Sequence, residues 1–226
     1  MNSEYIALVR SNPCVQSDRA LLAALASAGN RHASSTVFFH GDGCRMAHRL
    51  AGGALEPGDA DRLDLRVCAT SWARRYGPTP PPPLQAASLA LFFQRMAPAQ
   101  RVDSFSPGGW FCCVAPNAGA AQRSSSRLLL LVATPPDDER QQRETLEVAI
   151  GAAALELEGG VLFQGSGSRH LAGEAGRGWR QISDFGLLEM LAQGAGDQIS
   201  PDSGVVFATP GRAARRYVEA TTILLL

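Results

Sequence analysis

Short continuous runs of apolar residues recur along the chain, each bounded by polar or turn-forming residues. In the first half these runs are 5–9, 37–40, 65–69 and 102–105. Runs of this length without alternation are typical of strands that are buried on both faces of a parallel sheet. The second half shows the same pattern, and we predict four strands there: 127–133, 161–164, 205–208 and 222–226.

Between these strands the apolar positions follow a helical period. We predict a helix that is capped by Ser17 or Asp18, runs to residue 28 and ends at Gly29. A second helix is predicted over 84–96, and a third over 139–157, which begins in acidic residues as the helix dipole prefers. Strands that alternate with helices predict an α/β fold with a parallel sheet in each half.

The chain also contains an internal repeat. Residues 37–45 read VFFHGDGCR and residues 161–169 read VLFQGSGSR, with five of nine positions identical at an offset of 124. At nearly the same spacing, the apolar run 6–9 corresponds to 129–132. Two matches at one spacing predict that the halves are built alike.

A composition change separates the halves. Residues 115–126 are rich in Pro, Asn, Gly, Ala and Ser and lack apolar periodicity, which is typical of a linker. The predicted domains are therefore 1–114 and 127–226, each of about 100 residues. Residues 77–83 contain five prolines and are predicted to form an extended loop inside the first domain.

Charge and composition exclude several classes of function. The 21 basic residues balance 21 acidic ones, which argues against a dedicated nucleic-acid binder. All 21 basic residues are arginine, so a Schiff-base lysine, a pyridoxal-phosphate anchor and a Walker-type phosphate loop are excluded. The apolar fraction of 45% is sufficient for a packed core.

The sequence predicts neither a membrane span nor a signal peptide. It has no run of 18 apolar residues, and its first ten residues lack a basic region and a cleavage site. The five cysteines are an odd number, and without an export signal we expect reduced thiols in the cytoplasm.

Cys68 is the main candidate for chemistry. It lies near the end of a predicted strand, and Thr70 or Ser71 can cap a helix directly after it. The helix dipole and the nearby Arg74 and Arg75 would favour the nucleophilic thiolate, at the strand ends where α/β sheets place their sites. The residues alone also allow a buried structural cysteine, which is the more common case.

The turn Gly41-Asp42-Gly43 ends the preceding strand and is expected to lie near Cys68. Glycines there let backbone N–H groups approach an anion or a thiolate. The third glycine of a dinucleotide-binding fingerprint is missing, because position 46 is Met46. A plain tight turn is the alternative, and the second repeat has the same turn without candidate chemistry beside it.

Other candidates are weaker. His40, Cys44 and His48 are spaced by four, but His40 ends a strand, so we predict no metal site. The vicinal pair Cys112-Cys113 lies in an apolar run and is expected to pack in the core. Cys14 follows the first strand and is a candidate second thiol.

These motifs resemble the DsrE/TusD family of sulfur-relay proteins. The family has a hydrophobic-Phe-Phe-x-x-Asp-Gly turn, matched at 37–43, and a Val-Cys-x-x-small-x-x-Arg-Arg segment, matched at 67–75. Residues 84–105 resemble the family's closing helix and strand. The second half resembles the sister subunit TusC/DsrF over 155–171, 184–188 and 205–226. The resemblance implies two tandem DsrEFH-like domains, each a three-layer α/β/α sandwich with a mainly parallel sheet.

The resemblance also implies a function. Cys68 would carry sulfane sulfur as a persulfide, supported by Arg74, Arg75 and the 41–43 turn. Its partners would be small TusA-like and TusE/DsrC-like carriers and a TusB/DsrH-like subunit, in tRNA 2-thiouridine synthesis or sulfur oxidation. We expect an oligomer with no cofactor, no metal, no direct nucleic-acid contact and no membrane.

The chain departs from the family pattern in several places. Its second half has no cysteine and is short between 191 and 204. A proline-rich stretch follows the cysteine segment, and Trp72 stands where a small or aliphatic residue is usual. The alternative hypothesis is therefore a non-catalytic interaction module, in which the DsrE-like domains serve as a subunit of a larger complex.

Overall fold

The chain is a mixed α/β protein with two mainly parallel sheets. The computed structural model describes residues 4–12, 15–54, 63–107, 109–114, 127–194 and 204–226. The chain divides into two compact units, Met1–Pro116 and Asn117–Leu226. This division falls inside the predicted linker 115–126, whose structure lies outside the described residues. Each unit has the α/β architecture that its alternating strand and helix patterns predict.

The first unit is built on a six-stranded sheet in the order β4-β3-β2-β1-β5-β6. Neighbouring strands are parallel except β6, which pairs antiparallel with β5. The elements, in chain order, are β1 Glu4–Val9, α1 Val15–Gly29, β2 Ser34–Phe39, α2 Gly43–Arg49, a π-helical turn Leu50–Ala54, β3 Asp64–Cys68, α3 Ala69–Tyr76, β4 Gln85–Ala87, α4 Leu89–Met96, β5 Arg101–Ser106 and β6 Gly109–Val114.

Helices lie on both faces of this sheet. Side chains of α1, α2 and α3 pack on one face in a core that includes Leu25, Met46 and Trp72. On the other face, the α4 ring of Phe92 lies 5.4 Å from that of Phe38 on β2. Because the strands are covered on both sides, they read as continuous apolar runs in the sequence.

Two predicted helix boundaries in this unit are wrong. Residues 85–87 form an edge strand, and α4 begins only at Leu89, because the Ser88 hydroxyl caps it by accepting a hydrogen bond from the Leu91 N–H at 3.2 Å. Helix α1 begins at Val15, ahead of both predicted caps, and ends at Gly29 as predicted. The predicted loop over 77–83 is free of helix and strand.

The second unit repeats the strand order of the first. Its sheet runs β10-β9-β8-β7-β11, which matches β4-β3-β2-β1-β5, and all its strand pairs are parallel. The elements are β7 Leu128–Val132, α5 Glu139–Ala154, β8 Gly159–Gln164, a 3₁₀ segment Gly165–Leu171, α6 Gly173–Asp184, β9 Glu189–Gln193, β10 Val206–Phe207, α7 Pro210–Glu219 and β11 Thr222–Leu225. The predicted internal repeat is thus confirmed as a repeated sheet topology.

The repeated glycines have the same structural role in both units. Gly41 and Gly165 have positive φ angles of 58° and 55°, a conformation that favours glycine. A Cβ on Gly43 would lie 2.0 Å from the Val9 carbonyl oxygen, and one on Gly167 would lie 2.0 Å from that of Val132. In each unit, this turn therefore lets the following helical segment approach the end of the first strand.

An acid–arginine pair is also repeated. In the first unit, Arg95 on α4 donates to the Asp64 carboxylate at the start of β3, at 2.6 Å. In the second unit, Arg212 on α7 donates at 2.6 Å to Glu189, at the start of β9, and Arg216 donates to its other oxygen. The ion pairs therefore join equivalent elements in the two units, α4 to β3 in the first and α7 to β9 in the second.

The sequence pattern left parts of the second unit unassigned. Strand β9 and helices α6 and α7 were not predicted as elements, although their neighbours were. Helix α5 ends at Ala154, three residues before the predicted end, and Gly159 already belongs to β8.

The first unit contains a buried polar network on β1, β5 and β6. Asp103 on β5 is 1% exposed and accepts hydrogen bonds from the Tyr5 hydroxyl at 3.0 Å and from Arg101 Nη2 at 2.9 Å. The Arg101 guanidinium lies 5.8 Å from the centre of the Tyr5 ring. Because each buried polar group has a partner, the network avoids the cost of an unpaired buried charge.

None of the helices within the described ranges has the length and the apolar character that crossing a membrane requires.

Candidate functional site

Cys68 lies where β3 passes directly into α3. It is the last residue of the strand and the N-cap of the helix, so the predicted caps Thr70 and Ser71 lie inside the first helical turn instead. The backbone at Cys68 remains extended, with φ −58° and ψ 117°. The first N–H groups of a helix lack partners within it and carry a partial positive charge. Cys68 therefore lies at the positive end of α3 and at the carboxyl edge of the sheet.

An ion pair joins the predicted 41–43 turn to α3. Arg75 Nη2 lies 3.2 Å from Asp42 Oδ1, and Arg75 Nη1 donates to the Ser71 carbonyl oxygen at 3.0 Å. Arg45 lies 3.5 Å from the same Asp42 oxygen. Asp42 and Arg75, both predicted from the sequence as supporting residues, are thus in direct contact.

Arg74 and Arg75 lie in the last turn of α3, at the opposite end of the helix from Cys68. The Arg75 side chain is only 6% exposed, whereas Arg74 is exposed. Burial, followed by the charges of Arg10, Arg75 and Arg74, lowers the pKa of His40 well below its ordinary value. The two predicted arginines therefore act electrostatically on a histidine at the same edge of the sheet.

Backbone conformation and packing explain why positions 41 and 43 are glycine. The positive φ of Gly41 forms the turn, and Gly43 lets α2 approach β1, as the equivalent glycines do in the second unit. Asp42 is the member of this turn whose side chain contacts another predicted site residue.

From the sequence, His40 is a candidate only as a metal ligand, yet the strand register brings its backbone next to Cys68. Strands β2 and β3 are parallel, and Phe39 and Val67 are partners, so His40, directly after β2, is adjacent to Cys68, the last residue of β3. His40 is fully buried and Cys68 is 3% exposed. The available signal was the position of His40 directly after a predicted strand, but pairing it with Cys68 requires the strand register.

The histidines and the cysteine considered for a metal site do not form a ligand group. Cys44 is buried, and its Sγ donates to the Phe39 carbonyl oxygen at 3.6 Å. His48 stacks on Tyr76, with ring centres 4.2 Å apart. The part of the chain that the structure describes holds no group of three or more His, Cys, Asp or Glu side chains arranged to bind a metal ion.

The expectation that Cys112 and Cys113 pack in the core is wrong. Both lie on β6, the antiparallel edge strand, where Cys112 is exposed and Cys113 half-buried. An edge strand has only one neighbour, so an apolar sequence does not guarantee burial there. Cys14, the other candidate thiol, lies outside the described residues.

Cys112 is expected to react slowly although it is exposed. Partial desolvation, followed by a hydrogen bond to Asp103 and the charge of that carboxylate, raises the pKa of the Cys112 thiol to about 11. At pH 8 its thiolate fraction should be about 100-fold below that of an ordinary exposed cysteine. Timed iodoacetamide labelling with peptide mass spectrometry measures this rate, and labelling as fast as free cysteine would contradict the prediction.

The second unit carries other residues at the corresponding strand ends. Gln164 and Gln193 are register partners at the ends of β8 and β9, where the first unit has His40 and Cys68. The same sheet topology is thus present once with a thiol and an imidazole and once with two amides.

The chain was also compared with known proteins. No family model matches it, and no curated protein gives a match. The residues and geometry of the site are therefore the basis for inferring its function.

Proposed function

We propose that the chain is a sulfurtransferase-type carrier, which accepts sulfane sulfur as a persulfide on Cys68 and passes it to the thiol of another carrier. The observation that carries this proposal is the position of Cys68 as the N-cap of α3 at the carboxyl edge of a parallel sheet. Open α/β sheets hold their reactive groups at this edge. The resemblance of 37–43 and 67–75 to the DsrE/TusD family supports the same assignment.

The transfer is a thiol exchange that needs no external oxidant or reductant. The Cys68 thiolate attacks the terminal sulfur of a donor persulfide, and a new S–S bond forms as the donor's S–S bond breaks. The donor leaves as a thiolate, and the extra sulfur remains on Cys68. Cys68 makes no side-chain capping hydrogen bond to α3, so the support proposed for the negative charge on its sulfur is the positive end of the α3 dipole.

The proposed partners follow from this chemistry and from the resemblance. They are small TusA-like and TusE/DsrC-like carriers and a TusB/DsrH-like subunit, in tRNA 2-thiouridine synthesis or in sulfur oxidation. None of Cys44, Cys68, Cys112 and Cys113 is in a disulfide, which suits a reducing compartment such as the cytoplasm. We further propose that the protein acts as an oligomer.

Sulfur loading tests the proposal directly. The wild-type protein is incubated with a cysteine desulfurase, cysteine and a small carrier protein, and its intact mass is measured beside Cys68→Ser. We expect a gain of about one sulfur atom in the wild type and none in the variant. Cys44→Ser is the matched control, because it removes another buried thiol of the same unit and should still load. Equal loading of the wild type and Cys68→Ser would contradict the proposal.

A second candidate function is a non-catalytic subunit of a larger complex. It is favoured by the low exposure of Cys68, at 3%, and by exposed apolar side chains such as Trp110 at 56% and Val114 at 66%. This function predicts that Cys68 resists alkylation in the native protein and that partner association survives Cys68→Ser. Native-state alkylation and sulfur loading of the same samples therefore separate the two functions.

A further inference from the structure

A row of buried polar residues follows the last core residues of the central strands. Those core residues are register partners on β1, β2 and β3: Val9, Phe39 and Val67. All three pack on the face covered by α1, α2 and α3. The next residues, Arg10, His40 and Cys68, lie side by side where these strands end, and the His40 N–H still donates to the Val9 carbonyl oxygen at 2.9 Å. Neighbouring strands lie about 4.8 Å apart, so the backbones of His40 and Cys68 are adjacent at this edge of the sheet.

The environment of His40 determines whether its imidazole is neutral or protonated. His40 is 0% exposed, and Arg10, which directly follows β1, is 6% exposed. Arg74 and Arg75 on α3 add positive charge, and Arg75 is paired with Asp42. Burial and these charges keep the pKa of His40 low, so the ring is neutral at neutral pH, with one N–H donor and one acceptor.

The second unit provides an internal comparison. At the positions of Arg10, His40 and Cys68 it has Ala133, Gln164 and Gln193. The thiol, the imidazole and the arginine beside them are therefore all absent from the unit that lacks cysteine. The second unit forms the same turn and strand order without the thiol, the imidazole and the arginine, so the fold does not require these side chains.

From this arrangement we propose that His40 is a positioning residue for the sulfur on Cys68, and that its neutral imidazole donates an N–H hydrogen bond to the terminal sulfur of the Cys68 persulfide. This inference rests on the proposed function. A buried anion needs hydrogen-bond donors, and a donor to a charged acceptor contributes more than a neutral pair does. A neutral ring also does not release a proton to the persulfide, so the sulfur is held as a stabilised anion until an acceptor arrives.

Two variants test the role of His40. His40→Gln keeps a neutral N–H donor, whereas His40→Met fills similar space without one. After loading as above, the Cys68 persulfide is followed over time by intact mass. We expect His40→Met to lose it about tenfold faster than the wild type, and His40→Gln to remain close to the wild type. His48→Gln changes an exposed histidine on α2 and is the matched control.

A measurement on the wild type keeps the inference falsifiable if His40→Met does not fold. With ¹⁵N-labelled histidine, loading of Cys68 should shift the ring nitrogen signals of His40 and leave those of the other three histidines unchanged. Unchanged His40 signals, or equal persulfide lifetimes in folded wild type and His40→Met, would overturn the role of His40 and leave Cys68 as a carrier. A wild type that takes up no sulfur would overturn both proposals.

Discussion

Replacing Gly43 with alanine is expected to destabilise the first unit by about 3 kcal/mol. The added Cβ would lie 2.0 Å from the Val9 carbonyl oxygen and 2.7 Å from its carbon. Both atoms belong to the backbone of β1, a strand paired on both sides, and Gly43 itself begins α2. Neither partner is a side chain that can turn away, so strand and helix must separate.

Urea unfolding of the purified variants measures this effect. Gly52→Ala is the matched control in the same unit, because a Cβ there meets nothing within 4 Å. Gly167→Ala repeats the clash in the second unit, at 2.0 Å from the Val132 carbonyl oxygen, and should be as damaging there. Hydrogen exchange shows which unit loosens in each variant. A change of less than about 0.5 kcal/mol for Gly43→Ala would contradict the packing argument.

Replacing Asp103 with alanine is expected to cost a similar amount, about 3 kcal/mol. The carboxylate is 1% exposed and accepts hydrogen bonds from Tyr5 and Arg101. Without it, the Tyr5 hydroxyl is left buried and unpaired, whereas Arg101, at 17% exposure, can turn partly towards water. Because Arg101 can regain some contact with water, the expected loss of folding free energy lies at the lower end of the range for breaking a buried ion pair.

The same substitution has a second, independent readout. Desolvation and then Asp103 raise the pKa of the Cys112 thiol, so removal of Asp103 should lower that pKa part of the way to its ordinary value and speed alkylation at pH 8. Tyr5→Phe serves as the control, because it removes a single hydrogen bond and should cost about 1 kcal/mol. The network described above would be wrong if Asp103→Ala were no more damaging than Tyr5→Phe and left Cys112 reactivity unchanged.

The central strands could be predicted from the sequence because parallel strands covered on both faces are continuously apolar. The pattern failed at the sheet edges. The three residues of β4 were assigned to a helix, since the apolar residues on either side follow a helical spacing and the cap at Ser88 was not recognised. On β6, the apolar run was assigned to the core although it has one neighbour and faces solvent. Local apolarity does not reveal how many neighbours a strand has.

The candidate site was predictable only where it depends on local sequence. The position of Cys68 at a strand end followed from the apolar run before it. The pair between Asp42 and Arg75 joins residues 33 positions apart, and the pairing of His40 with Cys68 depends on register between two strands. Neither the ion pair nor the adjacency of His40 and Cys68 has a signature in the intervening sequence, so both required the folded chain.

The duplicated turn has a consequence for how the chain tolerates change. Gly43 and Gly167 meet the same steric constraint, while the ends of the neighbouring strands differ completely in chemistry. Architecture and reactivity are therefore encoded by different residues and can vary separately. The second unit has the same strand order without the thiol and the imidazole, and Gln164 and Gln193 are the positions at which an imidazole and a thiol could be introduced into it.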